Sequence, residues 1–438
     1  MNTLAISLGS LACILVLIGL RVPLGLAMGG VAILGFAYLR NWTVAFNVLG
    51  DAPFVFAANW ELSAIPMFLL MGAVASNSGI GTALFRAARV WFGRMPGGLA
   101  VATNWACAGF GAASGSSIAA AAVMARLAVP EMLRNKYDKG LATGVCASGG
   151  TLDALIPPSI TFVIYGIFAE VSIAQLLLAG VFPGLLTAAV YMIMIVARAW
   201  WNPELAPPVK FDDEAALRRE RWESLMEIWP VVVLVIGVIG GLYAGIVTPT
   251  EGGAVGALLA IVIGLLQRKL DWAGFIESFK DAIGTTAQLF FVGMGAVIYT
   301  KFLALAGTAA MFVDLIGSWA VDPLLLVIAV SIIYIILGMF LDPLGMILLT
   351  IPVFVPMFQA LGLDLVWFGV IVVKYVGISL LTPPVGFNIF VVATATNNEI
   401  PLKTIYKGCL WFLLCEVFIM TLLIAFPQIS LWLPRSMY

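Results

Sequence analysis

The sequence predicts an all-α polytopic membrane protein that contains two copies of one unit in opposite orientations. Of its 438 residues, 62% are hydrophobic and only 10% are charged, whereas roughly a quarter of the residues of an ordinary soluble domain are charged. Apolar segments near the length of about 20 residues that spans a bilayer recur along the chain. In addition, a constant shift relates motifs in the two halves of the chain.

The composition also excludes several classes of protein. The chain has no histidine, which removes Ser-His nucleophiles and the commonest metal ligand. Its five cysteines form no CxxC pair, and its net charge of −1 does not suggest nucleic-acid binding. We therefore expect no enzyme. The first apolar stretch lacks a basic leader and a small-residue cleavage site, so we expect it to be a retained span.

Apolar segments alternate with short polar connections over nearly the whole chain. They cover 3–20, 22–39, 62–80, 98–125, 141–169, 173–197, 228–247, 252–266, 283–306, 323–361, 365–396 and 405–433. The one long polar stretch is 198–227, in which 212–227 could form an amphipathic surface helix. We therefore predict a first copy at 1–200, a cytoplasmic linker at 201–227 and a second copy at 228–438.

Several motifs of the first half recur 226 residues later in the second half, as position 129 does at position 355. This shared shift is the evidence for a repeat. The matched residues are Val129-Pro130 with Val355-Pro356, Leu155 with Leu381, and Pro157-Pro158 with Pro383-Pro384. The same shift lays 98–125 onto 324–351 and 141–169 onto 367–395. An internal repeat of this kind predicts two structurally equivalent halves.

Charge predicts how the first copy crosses the membrane. The stretch 81–97 contains three arginines and no acid, and 126–140 contains four basic residues against two acids, so both are predicted to be cytoplasmic. A single helix over 98–125 would be about 42 Å long, too long for one crossing of a core of about 30 Å and too short for two. We predict a re-entrant hairpin at 98–125 with its tip at 112–117, followed by a broken helix at 141–169.

The second copy has the opposite charge pattern. The stretch 307–323 carries Asp314 and Asp322 without a basic residue, and 352–366 carries only Asp364. The hairpin at 323–361, with its tip at 341–345, is therefore predicted to open from the periplasmic side, and a broken helix follows at 365–396. Each copy would have five transmembrane helices and one hairpin, an odd number of spans that inverts the second copy.

The first hairpin tip contains the clearest candidate ligands. Three hydroxyls and a glycine cluster where a turn is predicted, and these residues are Ser114, Gly115, Ser116 and Ser117. Unpaired backbone at membrane depth is costly unless it lines a cavity or meets a ligand. We favour ligand binding for the serines, and close helix packing for the alanine run that follows them.

Two proline pairs interrupt the predicted broken helices. Pro157-Pro158 and Pro383-Pro384 remove backbone donors and free carbonyl groups upstream of them. The freed groups extend from Gly149 to Ile156 in the first copy and up to Thr382 in the second. A kink alone would explain either break, but two breaks at corresponding places point to a binding site. Hydroxyl and carbonyl oxygens suit Na⁺, and helix N-termini suit a carboxylate.

The roles of four charged residues stay open at this point. Asp342 is either a cation ligand or the cap of the second hairpin arm, and Asp153 raises a similar but weaker question. Lys301 and Lys374 are expected near the membrane interfaces or paired with acids.

One further polar motif has a local explanation. The segment from Thr248 to Glu251 contains Pro249 and has the pattern of a capped helix start.

The chain resembles the large membrane subunit of the tripartite ATP-independent periplasmic (TRAP) transporters over essentially its whole length. The resemblance rests on motifs in a specific order, which are Ala113-Ser114-Gly115-Ser116-Ser117, Ile156-Pro157-Pro158-Ser159, Thr248-Pro249-Thr250-Glu251-Gly252-Gly253, Gly338-Met339-Phe340-Leu341-Asp342-Pro343 and Thr382-Pro383-Pro384-Val385-Gly386. It implies an elevator-type importer with sodium as the coupling ion, two or more ions being bound. One sodium site would use Ser116 or Ser117 with carbonyls near 149–157. The other would use the Gly338 region with Thr382.

The resemblance also implies partners, substrate and location. A periplasmic binding protein would deliver a small organic acid, such as a dicarboxylate, sugar acid or keto acid, to a multi-pass protein of the bacterial inner membrane. A small four-helix subunit would be a separate chain, because no extra four-helix block is present here. The alternative is a Na⁺/carboxylate symporter of the ion-transporter type that needs no binding protein. An intramembrane protease and a passive channel fit the residues less well.

Overall fold

A computed structural model describes residues 3–208, 214–318 and 322–436, and every regular element in these ranges is helical. The all-α prediction is therefore confirmed.

The helices before residue 208 include the first predicted hairpin and broken helix. They are α1 (Thr3–Gly19), α2 (Leu24–Leu39), α3 (Trp42–Ala57), α4 (Ala64–Asn77), α5 (Ile80–Phe92), α6 (Gly98–Ser114), α7 (Ser117–Arg134), α8 (Lys139–Gly150), α9 (Ile160–Ala169), α10 (Ile173–Ala179) and α11 (Val181–Trp201). Short 3-10 helices lie at Trp60–Ser63, Thr151–Ala154 and Pro203–Leu205.

The helices after residue 213 begin with one in the predicted linker. They are α12 (Glu214–Glu227), α13 (Trp229–Val235), α14 (Gly241–Tyr243), α15 (Pro249–Leu266), α16 (Trp272–Ala306), α17 (Thr308–Ser318), α18 (Pro323–Gly338), α19 (Pro343–Ala360), α20 (Leu365–Ser379), α21 (Phe387–Ala395), α22 (Leu402–Ala425) and α23 (Gln428–Arg435). A π-helical turn, Ile236–Gly240, separates α13 from α14. Positions 212 and 213 of the predicted amphipathic helix lie outside the described residues.

The described helices agree with a membrane protein. Six of them are long and apolar enough to span a bilayer, and α3 with α4 adds a seventh if this pair, bent by 55°, is counted as one span. Five shorter apolar helices, among them α1 and α2, fall below that length. The number of five spans in each copy stays a prediction.

Two sequence expectations about connections were wrong. The stretches 81–97 and 126–140 were expected to be polar connections, but α5 occupies most of the first and α7 continues to Arg134 in the second. The charges are accommodated because Arg89 of α5 forms ion pairs of 2.9 Å with Glu131 of α7 and 3.3 Å with Glu220 of α12. The apolar segments predicted from the sequence also did not include α3, which contains Asp51 and an internal proline.

The helix bounds follow the shift of 226 residues. This shift carries the starts of α6 and α7, at 98 and 117, to 324 and 343, and α18 and α19 begin at Pro323 and Pro343. It also carries the start of α9 at 160 to 386, one residue before α21 begins at Phe387. This agreement supports the repeat, while the opposite orientation of its copies in a membrane stays a prediction.

Each hairpin packs against the broken helix of its own copy. Helices α6 and α7 contact α8 and the 3-10 turn after it, and α18 and α19 contact α20. The two copies also interlock, because α7 packs on α21 and α19 packs on α9. We call these hairpins and broken helices, together with the flanking α11 and α22, the body.

Small residues bring the flanking helix α22 into the body. A Cβ atom at Gly144 of α8 would lie only 2.7 Å from the backbone carbonyl carbon of Gly408 in α22. The two backbones therefore approach closely because neither residue has a side chain. A second group, which we call the scaffold, contains α2, α3, α4, α15 and α16: α2, α3 and α4 pack along α16, and α4 packs along α15.

A buried ion pair also joins three helices of the body. Lys374 of α20 and Glu416 of α22 lie 2.6 Å apart and are 3% and 2% exposed. The Lys374 ammonium donates to the hydroxyl of Thr187 in α11 at 3.0 Å, and the Tyr191 hydroxyl donates to Glu416. The prediction that Lys374 pairs with an acid is confirmed. Lys301 is also paired, with Asp51 at 3.5 Å, but this second pair is largely exposed.

The buried pair leads to a prediction about stability. Lys374→Met should lower the free energy of unfolding by about 3–5 kcal/mol, because it leaves the Glu416 charge buried without a partner. Lys301→Met, which breaks an exposed pair, should cost about 1 kcal/mol or less. Thermal unfolding of both variants in detergent measures the difference. Equal melting temperatures would contradict this account of the pair.

The hairpin prediction can be tested by labelling single cysteines from either side of the membrane. Arg89→Cys and Lys136→Cys should both react from the cytoplasmic side, because ion pairs join the ends of α5, α7 and α12. Asp322→Cys and Asp364→Cys should react from the periplasmic side. If Arg89→Cys and Lys136→Cys reacted from opposite sides, α6 and α7 would together cross the membrane an odd number of times.

Candidate functional site

The tip of the first hairpin lies at the turn that the sequence predicts. Helix α6 ends at Ser114, and Gly115 follows with φ +64°, a left-handed conformation that favours glycine. The Ser116 hydroxyl accepts a hydrogen bond of 3.4 Å from the backbone N–H of Ala119, and so caps α7. Ser117 is the first residue of α7. Ser116 and Ser117 are both half-buried.

Ser114 connects this tip to the first break. Its buried hydroxyl lies 3.3 Å from each carboxylate oxygen of Asp153. Asp153 is 0% exposed, and no ion pair within the described residues involves it. One buried hydrogen-bonding contact therefore joins the tip to the break. Among the described residues, no basic side chain forms an ion pair with the Asp153 carboxylate of this contact.

The first break is a tightly organised turn. Ser159 caps α9 through Phe162 and donates to the carbonyl of Ala154 at 2.5 Å. Pro157 is buried, and its bond to Pro158 is cis.

The two ends of the carbonyl-rich region differ in position. Gly149 is buried against Cys107 of α6, in the first hairpin. Ile156, by contrast, packs against Gly184 of α11. Gly149 therefore contacts the hairpin, and Ile156 contacts the flanking helix α11.

At the second hairpin, the structure decides the local role of Asp342. Its carboxylate accepts a hydrogen bond of 3.3 Å from the backbone N–H of Gly345, so it caps α19. The capping interpretation is confirmed. Gly338, at the end of α18, lies against Ser379 of α20. The second hairpin therefore also contacts the broken helix of its own copy near the break.

The second break is more open than the first. The Thr382 hydroxyl donates to the carbonyl of Ile378 at 2.8 Å, which leaves its oxygen lone pairs able to accept. Pro383 is exposed, whereas Pro157 is buried. The Pro383–Pro384 bond is also cis. The Tyr406 hydroxyl lies 2.8 Å from the carbonyl oxygen of Val385 and holds the turn against α22.

Asn388 is a residue of the site that the sequence analysis missed. It is fully buried in α21, and its amide nitrogen donates to the carbonyl of Ala147 in α8 at 3.0 Å. Its Oδ1 atom has no hydrogen-bond partner within the described residues. An unsatisfied buried oxygen between the two broken helices is a candidate ligand. The available signal was an amide side chain in the otherwise apolar start of α21.

A polar cavity of about 400 Å³ opens beside the first tip. Ser114 and Ser116 form one wall, and the other walls come from the scaffold helices α4 and α16. Gly72 of α4 lies so close to the Ser114 carbonyl that any side chain there would collide with it. The sequence analysis did not assign α4 or α16 to a site, because no local pattern relates them to the hairpin.

These arrangements suit a weakly held hard cation better than a transition metal. Within the described ranges, no three His, Cys, Asp or Glu side chains lie together as metal ligands would. Hydroxyl, amide and carbonyl oxygens, which Na⁺ prefers, are present at both breaks.

Comparison with known proteins identifies the family. Residues 11–429 match the family described as the DctM component of the tripartite ATP-independent periplasmic transporters. The chain belongs to this TRAP transporter family. It is 32% identical over 419 residues to the sialic acid TRAP transporter large permease protein of Vibrio cholerae, covering 94% of this chain and 95% of that protein. It is therefore a TRAP transporter large permease, and the family predicted from the motifs is confirmed.

Other relatives carry different substrates in their names. A C4-dicarboxylate TRAP transporter large permease of Pseudomonas aeruginosa is 34% identical over 385 residues, covering 86% of this chain and 87% of that protein. A 2,3-diketo-L-gulonate TRAP transporter large permease of Escherichia coli is 30% identical over 380 residues, with the same coverage. These relatives do not favour the symporter that works without a binding protein.

A solved structure supports the fold alone. The Alcanivorax borkumensis YdaH transporter aligns with a TM-score of 0.58 and 16% identity, covering 88% of this chain and 87% of that chain.

Proposed function

We propose that this TRAP permease imports a small organic acid across the bacterial inner membrane, driven by sodium ions. A periplasmic binding protein supplies the acid, and a small four-helix membrane subunit, as a separate chain, completes the transporter. The observation that carries the proposal is the meeting of hairpin tip, broken helix and polar cavity at Ser114 in a chain of this family.

Sodium coupling rests on the two breaks. Each offers side-chain and backbone oxygens at membrane depth, where an unsatisfied polar group is costly. In the first copy, the ligands are Ser116 or Ser117 with carbonyls before Pro157, and Asp153 supplies negative charge nearby. In the second copy, the ligands come from the Gly338 region with Thr382. Na⁺ bound at both places would stabilise the turns and favour binding of the organic anion.

An elevator mechanism rests on the division of the helices into two groups. The body is held together by interlocked hairpins and a buried ion pair, whereas many of its contacts with the scaffold are apolar. One of these is between Phe56 of α3 and Phe168 of α9, whose ring centroids are 5.9 Å apart. Among the described residues, no ion pair joins the body to these five scaffold helices. Apolar faces of this kind are suited to sliding, and sliding would carry the polar sites across the membrane.

Removing ligand hydroxyls should lower the apparent affinity of the transporter for Na⁺. Ser116→Ala, Ser117→Ala and Thr382→Ala should each raise the Na⁺ concentration for half-maximal uptake about tenfold, because one ligand oxygen is worth about 1–3 kcal/mol. Uptake by the reconstituted complex with its binding protein at varied Na⁺ concentration measures this effect.

Ser172→Ala is the matched control for the loss of a helix cap. Ser172 caps α10 with the same geometry as Ser116, at 3.4 Å, but lies away from both tips. It should leave the sodium dependence unchanged. If the three site variants behaved like Ser172→Ala, the sodium sites would lie elsewhere.

Crosslinking tests the elevator in a background without the five native cysteines. A Phe56→Cys/Phe168→Cys pair joins scaffold to body, and a short bifunctional thiol reagent should abolish uptake while Na⁺ binding persists. The control pair, Phe358→Cys/Phe368→Cys, joins two helices of the body whose rings are 3.7 Å apart. Crosslinking this control should leave uptake largely intact. Unimpaired uptake after the first crosslink would favour local gating over sliding.

A further inference from the structure

The cavity beside the first tip has an ordered polar wall on the scaffold helix α16. Lys280, Gly284 and Gln288 are spaced four residues apart and line the cavity together with Asp281 and Thr285. Residues at this spacing lie along one face of a helix. The face opposite the tip therefore presents one ammonium, one carboxylate, one amide and one hydroxyl group to anything that occupies the cavity.

Lys280 and Asp281 are the charged residues of the cavity lining, and both are exposed to it. In the part of the chain that the structure describes, neither forms an ion pair within 4.0 Å. Lys301 and Lys374, by contrast, are both paired with acids. The Lys280 side chain thus lines the same cavity as Ser114 and Ser116, and no acidic side chain among the described residues balances its charge within ion-pair distance.

The opposite wall offers groups of a different kind. The Ser116 hydroxyl accepts from the backbone in capping α7, and its own proton remains able to donate. Ser114 donates to Asp153 and is engaged. An anion between the walls would therefore meet one positive charge on α16 and a hydroxyl donor at the tip. Asp281 and Gln288 would accept hydrogen bonds from neutral hydroxyl groups of the same molecule.

We propose that this cavity binds an organic anion with a single carboxylate and a hydroxyl-rich body, with Lys280 as the contact of the carboxylate. The inference rests on the proposed function and narrows its substrate class. The formal charges of the lining sum to zero, because Lys280 and Asp281 cancel. A second carboxylate would have no cation of its own and would face Asp281, an unfavourable approach of like charges.

The cavity size agrees with a substrate of this class. Small-molecule sites in proteins commonly enclose about 300–1,000 Å³, and the cavity of about 400 Å³ lies at the lower end of that range. Gly72 sets one boundary, because the Ser114 carbonyl fills the space beside it.

Thermal unfolding of the purified full chain in detergent with Na⁺ present tests the proposal. Gluconate and glucuronate, which have one carboxylate and several hydroxyls, should raise the melting temperature, whereas succinate and glucarate, which have two carboxylates, should not. Lys280→Gln should weaken the response to the effective acid about tenfold to a hundredfold in concentration, the effect of losing a hydrogen bond to a charged group. Lys280→Arg should preserve most of it.

Two further variants control for charge and identify the opposing acid. Lys269→Gln removes an exposed charge from the turn before α16, outside the cavity lining, and should respond as the parent does. Asp281→Asn should allow succinate or glucarate to stabilise the protein. The proposal is overturned if the dicarboxylates stabilise the parent as strongly as the monocarboxylates, if Lys280→Gln keeps the parental response, or if no acid of the panel has an effect.

Uptake by the reconstituted complex separates this inference from the proposed function. If the complex accumulates an organic acid in a sodium-dependent manner but Lys280→Gln transports it as the parent does, only the role of Lys280 is wrong. If the complex accumulates no organic acid, the proposed function fails whatever the melting temperatures show.

Discussion

Two hairpins and two broken helices lie inside the body, and each of these four interruptions leaves backbone N–H and carbonyl groups without helical partners. Such groups cost several kcal/mol in an apolar medium unless they are paired. Side chains around the interruptions form hydrogen bonds with several of these groups. Ser116 and Asp342 cap the second arms of the hairpins, and Ser159 closes the first break by accepting from Phe162 and donating to Ala154. Among the described residues, Oδ1 of Asn388 between the two broken helices remains without a hydrogen-bond partner.

Close packing of these interruptions needs small residues at a few specific points. Gly115 adopts the left-handed conformation that turns the first tip, and Gly72 lets α4 approach it. Gly144 and Gly408 allow α8 and α22 to pack backbone to backbone. In the alanine run after the first tip, Ala120 and Ala121 are fully buried, which agrees with the close helix packing expected there.

The charged residues of the body and the cavity differ in whether they form ion pairs. The Lys374–Glu416 pair is buried within the body and joins three of its helices, so its charges are fully committed. Asp153, in contrast, is buried beside the tip with only neutral donors around it among the described residues. Lys280 and Asp281 stand in the open cavity. The paired charges therefore stabilise the body, whereas Lys280 and Asp281 are accessible from the cavity and Asp153 is buried without an ion-pair partner among the described residues.

Local sequence patterns determined the all-α class, both tips, both proline breaks and the family, because each depends on residues that are close along the chain. The Thr248–Glu251 capping box, confirmed in the structure, is of this kind. The stretches that contain α5 and the end of α7 were misread as connections because of their charge, part of which is paired with distant acids such as Glu220. Only the tertiary structure decided that Glu416 is the partner of Lys374 and that Asn388 lies between the broken helices. It alone also brought Lys280 of α16 to the cavity at Ser114. The physical reason is that contacts between residues far apart in sequence depend on how whole helices pack, and neither helical periodicity nor composition specifies that packing.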